Sequence, residues 1–356
     1  MSQEFNFATP RKQKVGRTDA EGTGIGGTSW TNKIRIQNYN GETVTIKPSV
    51  GNLPPYYIHY YDNGQFIEFD SVTIDSSNGN GVSTIGCVCP NDQTALIASH
   101  HIRYQNSDLI GCRTTGDLAT SSQITNISPN SHDNEFINDL IHGSGGSNAT
   151  YGFYIRGNNN LYDSCEFYDT GMYGGQVYNG TYTGPGSPSN NIIRNSIFRD
   201  ITLGMNDGRT AILLTGDDNQ AYNNIAYNIT APGGFNGNQG GFAIYQGLRN
   251  KIYFNTVVNC GKAISYGGTN SEIKDNLTGG NAIDTPVNEG AITPILSNNI
   301  TGVNLVTNFV NASGGNLHLL SGSIARSAGV LIIGITTDKD GVLRGNPPDV
   351  GVYQFV

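Results

Sequence analysis

The chain has 356 residues, a net charge of −8, 48 glycines, 43 asparagines and only 13% charged side chains. This balance lacks the basic footprint of a nucleic-acid binder, and no apolar run reaches the roughly 20 residues that cross a bilayer as a helix. What remains is a turn-rich β protein with a polar, weakly charged surface. Five cysteines (Cys87, Cys89, Cys112, Cys165 and Cys260) form neither a disulfide framework nor a zinc pattern; Cys165 and Cys260 read as small buried hydrophobes.

Residues 1–29 mix charge (Arg11, Lys12, Lys14, Arg17) with glycine-rich sequence and show no sustained apolar period. They read as an arm that caps the fold or docks onto a sister subunit or larger assembly. The opening Met1–Phe7 has no apolar core of a secretion signal. Trp30 to Ile46 predicts a strand, a turn at Asn40-Gly41 and a second strand that opens the fold. Tyr56, Tyr57, Tyr60 and Tyr61 follow as an aromatic cluster, either a sugar-stacking platform or a cover over the first coil. His100 and His101, adjacent in a strand, are expected on opposite faces and so make poor joint metal ligands.

From Asn134 to Thr278 one phrase keeps returning: it begins at Asn134, Asn160, Asn191, Asn219 and Asn250, with fainter copies elsewhere. Its apolar residue falls at Phe69, Tyr104, Phe136, Tyr162, Ile193, Ala221, Ile252, Ile273 and Leu296, in steps of 21 to 35 residues. A drifting period of that size marks stacked coils with insertions in their loops. Apolar and polar residues alternate within the phrase, which is strand periodicity. A second apolar run follows in each coil, as in Gly152–Gly157, Gly175–Gly180 and Ala211–Gly216. Each coil thus carries at least two short strands separated by Gly/Asn turns. No coil buries its apolar face alone, so neighbours stack into one long core. Asn106, Asn138, Asn195 and Asn223, with Ser164 in one coil, fall on one register and predict a side-chain ladder along the solenoid.

The expected fold is therefore all-β: a right-handed single-stranded parallel β-helix over residues 30–308, with 309–356 as a distinct C-terminal cap. The longest turns, 143–151, 178–189 and 230–241, are expected to line up on one side as a loop wall. Asp338 and Asp340 resemble half of a calcium loop. The other ligands are absent, so a turn role is expected and no cofactor, with calcium the one metal to consider.

The Asn-Asn-x-Ile-x-Asn phrases, the Tyr151–Ile155 strand and the tail from Thr337 to Tyr353 resemble the parallel β-helix repeat proteins of the pectate-lyase-like superfamily, across about residues 30–355. That group holds polysaccharide lyases, glycosidases, epimerases, phage tailspikes and non-catalytic surface proteins. The resemblance therefore implies a fold and a polysaccharide or cell-surface glycan as partner. Where many relatives carry an Asp-His pair before this strand, the chain has Ala149-Thr150, and no aspartate cluster recreates the calcium site of pectate lyases.

Eliminative cleavage of a uronate needs a base and a cation that neutralises the carboxylate. Arg156, Arg209, Tyr178, Tyr245 and Asp207 are the candidate catalytic residues; Tyr154, Gln176, Gln246, Lys262 and His142 are the candidate substrate-binding ones. Hydrolysis would need two carboxyls about 5–10 Å apart, for which Asp207, Asp217, Asp218, Glu166 and Asp169 are available. The expected function is glycan binding by an extracellular or virion-attached, tailspike-like protein, assembled as a homo-oligomer or larger complex through residues 1–29. The alternatives are a secreted polysaccharide lyase or glycoside hydrolase acting on an acidic polysaccharide, and a structural fibre subunit.

Overall fold

The computed structural model describes residues 26–48, 59–62, 64–77, 88–91, 99–111, 122–145, 150–178, 180, 184, 186–201, 210–229 and 240–356, together with the strand at 3–7. Among these residues three long sheets run side by side. The first holds ten strands, from Ile34–Gln37 to Ile295–Ser297. The second holds ten, from Gln3–Phe7 and Val44–Pro48 to Leu277–Gly279, and the third holds nine, from His59–Asp62 to Val287–Asn288. Neighbouring strands are parallel in every sheet, and each coil passes through the first, second and third sheet in turn. This is the expected right-handed parallel β-helix. Phe69, Tyr104, Phe136, Tyr162, Ile193, Ala221, Ile252, Ile273 and Leu296 are consecutive partners in the first sheet, as the phrase alignment predicts.

The repeated phrase turns out to be two strands and not one. Glu135–Ile137 and Leu140–His142 belong to different sheets, and Asn138 between them has φ 55°. Asn106, Ser164, Asn195 and Asn223 repeat that left-handed corner in their coils. A second left-handed column precedes each first-sheet strand, at Asp133, Asn159, Asn190, Asp218, Arg249 and Asn270. Asn and Asp tolerate this conformation better than other side chains with a Cβ, which is why the corners are so rich in them.

The expected ladder exists in pieces: Asn138 Nδ2 donates to Asn106 Oδ1 at 2.8 Å, and Asn223 Nδ2 to Asn195 Oδ1 at 3.2 Å. Two stronger ladders lie inside, each one residue past one of the two left-handed columns. In the column Asn134, Asn160, Asn191, Asn219 and Asn250, each Oδ1 from Asn160 onward accepts the backbone N–H of the asparagine one coil earlier at 2.9–3.1 Å, and that of Asn134 accepts the Ile102 N–H at 3.0 Å. In a second column Asn255, Asn276 and Asn299 do the same at 2.9–3.1 Å, and Asn224 Oδ1 accepts the Ser196 N–H at 2.9 Å. These side chains are buried from Asn134 to Asn276, so each satisfies main-chain donors that water does not reach.

The core between the sheets is a stack of like upon like. Phe69, Tyr104, Phe136 and Tyr162 lie nearly parallel with centroids 4.5–5.6 Å apart. Phe167 and Phe198 stack at 4.6 Å. The buried Tyr162 hydroxyl is satisfied by Thr125 Oγ1 at 2.7 Å. Cys165 and Cys260 are buried free thiols; burial pushes the Cys165 thiol well up and that of Cys260 to about 12.

The C-terminal segment is distinct, as expected. A short helix, Leu305–Asn308, is capped by Asn304, and the strands Phe309–Asn311 and Asn316–Leu319 pair antiparallel. Leu317, Leu319, Val350, Val352 and Tyr353 pack on Ile225, Val258 and Leu277, so this cap lies along the outer face of the second sheet. Arg344 is buried over the ring of Phe254 at 3.8 Å and donates to Asn223 Oδ1 and Gly351 O. Burial lowers its pKa to about 10. Phe254 takes the place of asparagine at its corner, with φ 48°, and Arg344 is what stacks on it. Asp338 is a turn residue: its Oδ1 accepts from the backbone of Asp340 and Val342, and its Oδ2 from that of Gln354.

Three expectations need correction or limits. The imidazoles of His100 and His101 do not diverge, because His101 sits at a left-handed corner (φ 55°) and its Nδ1 lies 2.7 Å from that of His100. The long turns do not share one wall. Those at 143–151 and 230–241 join the second sheet to the third, whereas 178–189 joins the third to the next first-sheet strand; spacing alone does not tell which corner an insertion occupies. Tyr56 and Tyr57 lie outside the described residues, as does most of the 1–29 arm, whose strand Gln3–Phe7 pairs with Val44–Pro48.

Candidate functional site

The outer face of the third sheet brings together four of the ten predicted residues, Tyr154, Arg156, Gln176 and Tyr178. Its strand Thr150–Ile155 points Phe153 and Ile155 inward and Tyr154 outward. Along that outward column lie Asn126, Tyr154, Gln176, Leu213, Ala243 and Ser265. A second column runs Tyr151, Tyr173, Thr210, Gly240 and Lys262. Gly175 holds the two strands in place: a Cβ there would come within 2.1–2.2 Å of the Phe153 ring.

Four half-buried tyrosines make a continuous surface. Tyr151 stacks on Tyr173 at 5.5 Å and meets Tyr154 edge-on at 5.8 Å; Tyr178 lies 6.4 Å from Tyr154. Arg156 ends the strand with its guanidinium carbon 5.7 Å from the Tyr154 ring centroid. Its Nη2 donates to Asn126 Oδ1 at 3.2 Å, while Nε is buried with no hydrogen-bond partner among the described residues. Burial raises the hydroxyl pKa of Tyr151 and of Tyr154, so both keep their protons at neutral pH.

The remaining candidates are dispersed. Tyr245 is 42% exposed and lies at the end of its strand, two coils beyond Tyr178. That is about 10 Å away at the spacing of parallel strands. Gln246 follows it, its carbonyl accepting from Asn250 Nδ2. Lys262 sits four coils beyond Tyr151 and is ion-paired with Glu289 at 2.7 Å. His142 is on the second sheet, where its Nε2 is 2.9 Å from Asp108 Oδ1 and its ring stacks on Tyr168 at 4.4 Å. Arg209 and Asp207 lie outside the described residues.

The carboxyls considered for hydrolysis hold structural partners. Asp218 is bound by Arg249 and Glu166 by Arg199, while Asp217 accepts the Gly184 and Leu248 N–H groups. Sequence reading missed Tyr151, Tyr173 and Asn126; register was the signal, since each aligns with a residue of the Gly-bounded strands.

No family model and no curated protein matches the chain. Solved structures do. The pectate lyase Pel9A aligns over 100% of this chain and 86% of its own, with a TM-score of 0.65 at 14% identity. The A-module of the mannuronan C-5 epimerase AlgE6 of Azotobacter vinelandii aligns over 85% of this chain and 89% of its own, with a TM-score of 0.50 at 11% identity. A rhamnogalacturonan lyase aligns over 80% and 86%, with a TM-score of 0.46 at 15% identity. At such identities the likeness is one of fold, and it agrees with the three parallel sheets. No helix among the described residues is long and apolar enough to cross a membrane.

Proposed function

We propose that this chain is an extracellular glycan-binding β-helix whose third-sheet outer face holds an extended oligosaccharide. The observation that carries this reading is the tyrosine surface of Tyr151, Tyr154, Tyr173 and Tyr178, with the Nε of Arg156, which has no partner among the described residues, at its edge. Flat aromatic rings with a polar tip suit a ligand that is apolar on its faces and wet at its rim. A guanidinium with a buried spare donor suits a carboxylate or another oxygen-rich substituent. The polysaccharide-active names among the solved structures favour the same ligand class. The lyase alternative requires a base, and Tyr151 and Tyr154, which keep their protons at neutral pH, supply none.

The test is titration calorimetry against a panel of neutral and uronate-containing oligosaccharides, alongside an ultraviolet assay for unsaturated uronide. The expected outcome is saturable binding that weakens by about tenfold or more in Tyr154→Ala and in Arg156→Ala, without unsaturated product. Absence of binding across the panel overturns the reading; steady product formation replaces it with the lyase. Within this reading, attachment to a virion or other surface assembly through residues 1–29 rests on the composition of that arm. Native mass before and after its deletion tests that part.

A further inference from the structure

Of the fifteen large hydrophobic side chains that are exposed among the described residues, eleven lie at Ile292 or beyond. Three of them belong to the last coil: Ile292, Ile295 and Leu296. Leu296 ends the column of Phe136, Tyr162 and Ile193, so it faces the core, yet it is 41% exposed because no coil follows. The C-terminal cap packs on the outer faces of the second and first sheets, and Ile292, Ile295 and Leu296 stay exposed at this end. Val330, Leu331 and Ile333, also exposed, lie over the outer face of the first sheet: with Ser297 of the last coil they line a cavity of about 420 Å³ that reaches back to Lys274, Glu272, Tyr253 and Lys251.

Edge strands of natural proteins are ordinarily blunted by charge, by bulges or by a covering element. Here Ile295–Ser297 is the outermost strand of the first sheet, and the sequence from Gly290 to Leu317 contains no charged residue. A chain of net charge −8 thus closes its first sheet with an apolar strand that carries no charged side chain. Pairing this strand with its own copy sets no charged side chain of the segment 290–317 against another. A twofold axis normal to the first sheet would set strand Ile295–Ser297 antiparallel to its own copy, giving each strand the main-chain partners that the solenoid's end withholds.

We propose that the C-terminal end of the solenoid is the docking surface for a second copy of this chain, end to end, through Ile292, Ile295 and Leu296 with Leu331 and Ile333 at the rim. The surface is separate from the tyrosine face and from the strand Gln3–Phe7, which pairs at the other end of the second sheet. Sedimentation velocity of the full chain over a concentration series tests it, with Ile295→Lys and Leu296→Glu as interface variants and Tyr39→Glu, exposed in the first coil, as control. The expected result is a dimer whose dissociation constant rises by about tenfold or more in either interface variant and is unchanged in the control. Circular dichroism should be the same in all four proteins. Ile295 points outward, so its variant reports on docking even if Leu296→Glu loosens the last coil. A wild-type monomer at every concentration overturns the proposal. So does a dimer that survives both interface variants but is lost on deleting residues 1–29.

Discussion

The middle coils and the last coil are built from the same phrase and end in opposite states. Ile193, Ala221 and Ile252 are fully buried by the coil on either side, whereas Leu296, their partner along the first sheet, has a neighbour on one side only and stays 41% exposed. The asparagine ladders show the same dependence. Asn219 accepts from Asn191 of the coil before and donates to Pro188 O and Thr215 O; Asn299 closes its own ladder with no coil beyond it. Burial and hydrogen-bond satisfaction in this molecule are therefore properties of neighbours, not of the repeat unit.

Substitutions along one column should expose that dependence. Ile193→Ala should lower unfolding free energy by about 3–4 kcal/mol in denaturant titration. Leu296→Ala, at dilutions that prevent self-association, should cost less than about 1 kcal/mol. Equal losses would mean the last coil is covered after all. Asn219→Ala should cost about 3 kcal/mol, because the Asn191 backbone N–H, the Asn191 amide and two carbonyls lose a buried partner together. Asn138→Gly, on the exposed ladder and at a left-handed corner that glycine accepts, should change stability by less than about 0.5 kcal/mol.

Smaller effects come from two aspartates in these columns. Asp139 holds the place that Asn224 and Asn255 hold in later coils; its Oδ1 accepts the Ser107 N–H and its Oδ2 has no partner among the described residues. Burial raises its pKa well above the usual carboxylate range, and burial likewise lifts Asp275 to about 6. Folding therefore takes up protons at both. Stability from these groups is complete below the unfolded pKa of about 4 and declines as pH rises through the folded values. Asp139→Asn should raise the melting temperature at pH 7 by a few degrees, leave it unchanged near pH 3, and flatten the slope between; an unchanged pH profile would contradict the assignment.

The long-range architecture was legible because stacking imposes one register on every coil, so Phe136, Tyr162 and Ile193 announce themselves by alignment alone. The corner after the first strand was legible too, since Asn106, Asn138, Asn195 and Asn223 are what a left-handed residue requires. The inner ladders were half visible: the phrase begins at their first members, but nothing in a linear pattern says which of two adjacent asparagines turns inward. Tertiary register, absent from local periodicity, also hid the tyrosine face. Tyr151 and Tyr173 are 22 positions apart and become neighbours only after an insertion is placed at the correct corner. His142 shows the converse, for it flanks the clearest phrase yet the corner at Asn138 sends it to another sheet.

The most direct test is a crystal structure of the chain soaked with the tightest-binding oligosaccharide from the panel. Sugar rings lying over Tyr151, Tyr154 and Tyr173, with an oxygen substituent on Arg156, are the predicted result. Density against Tyr168 and His142 on the second sheet, with the tyrosine face bare, would contradict it.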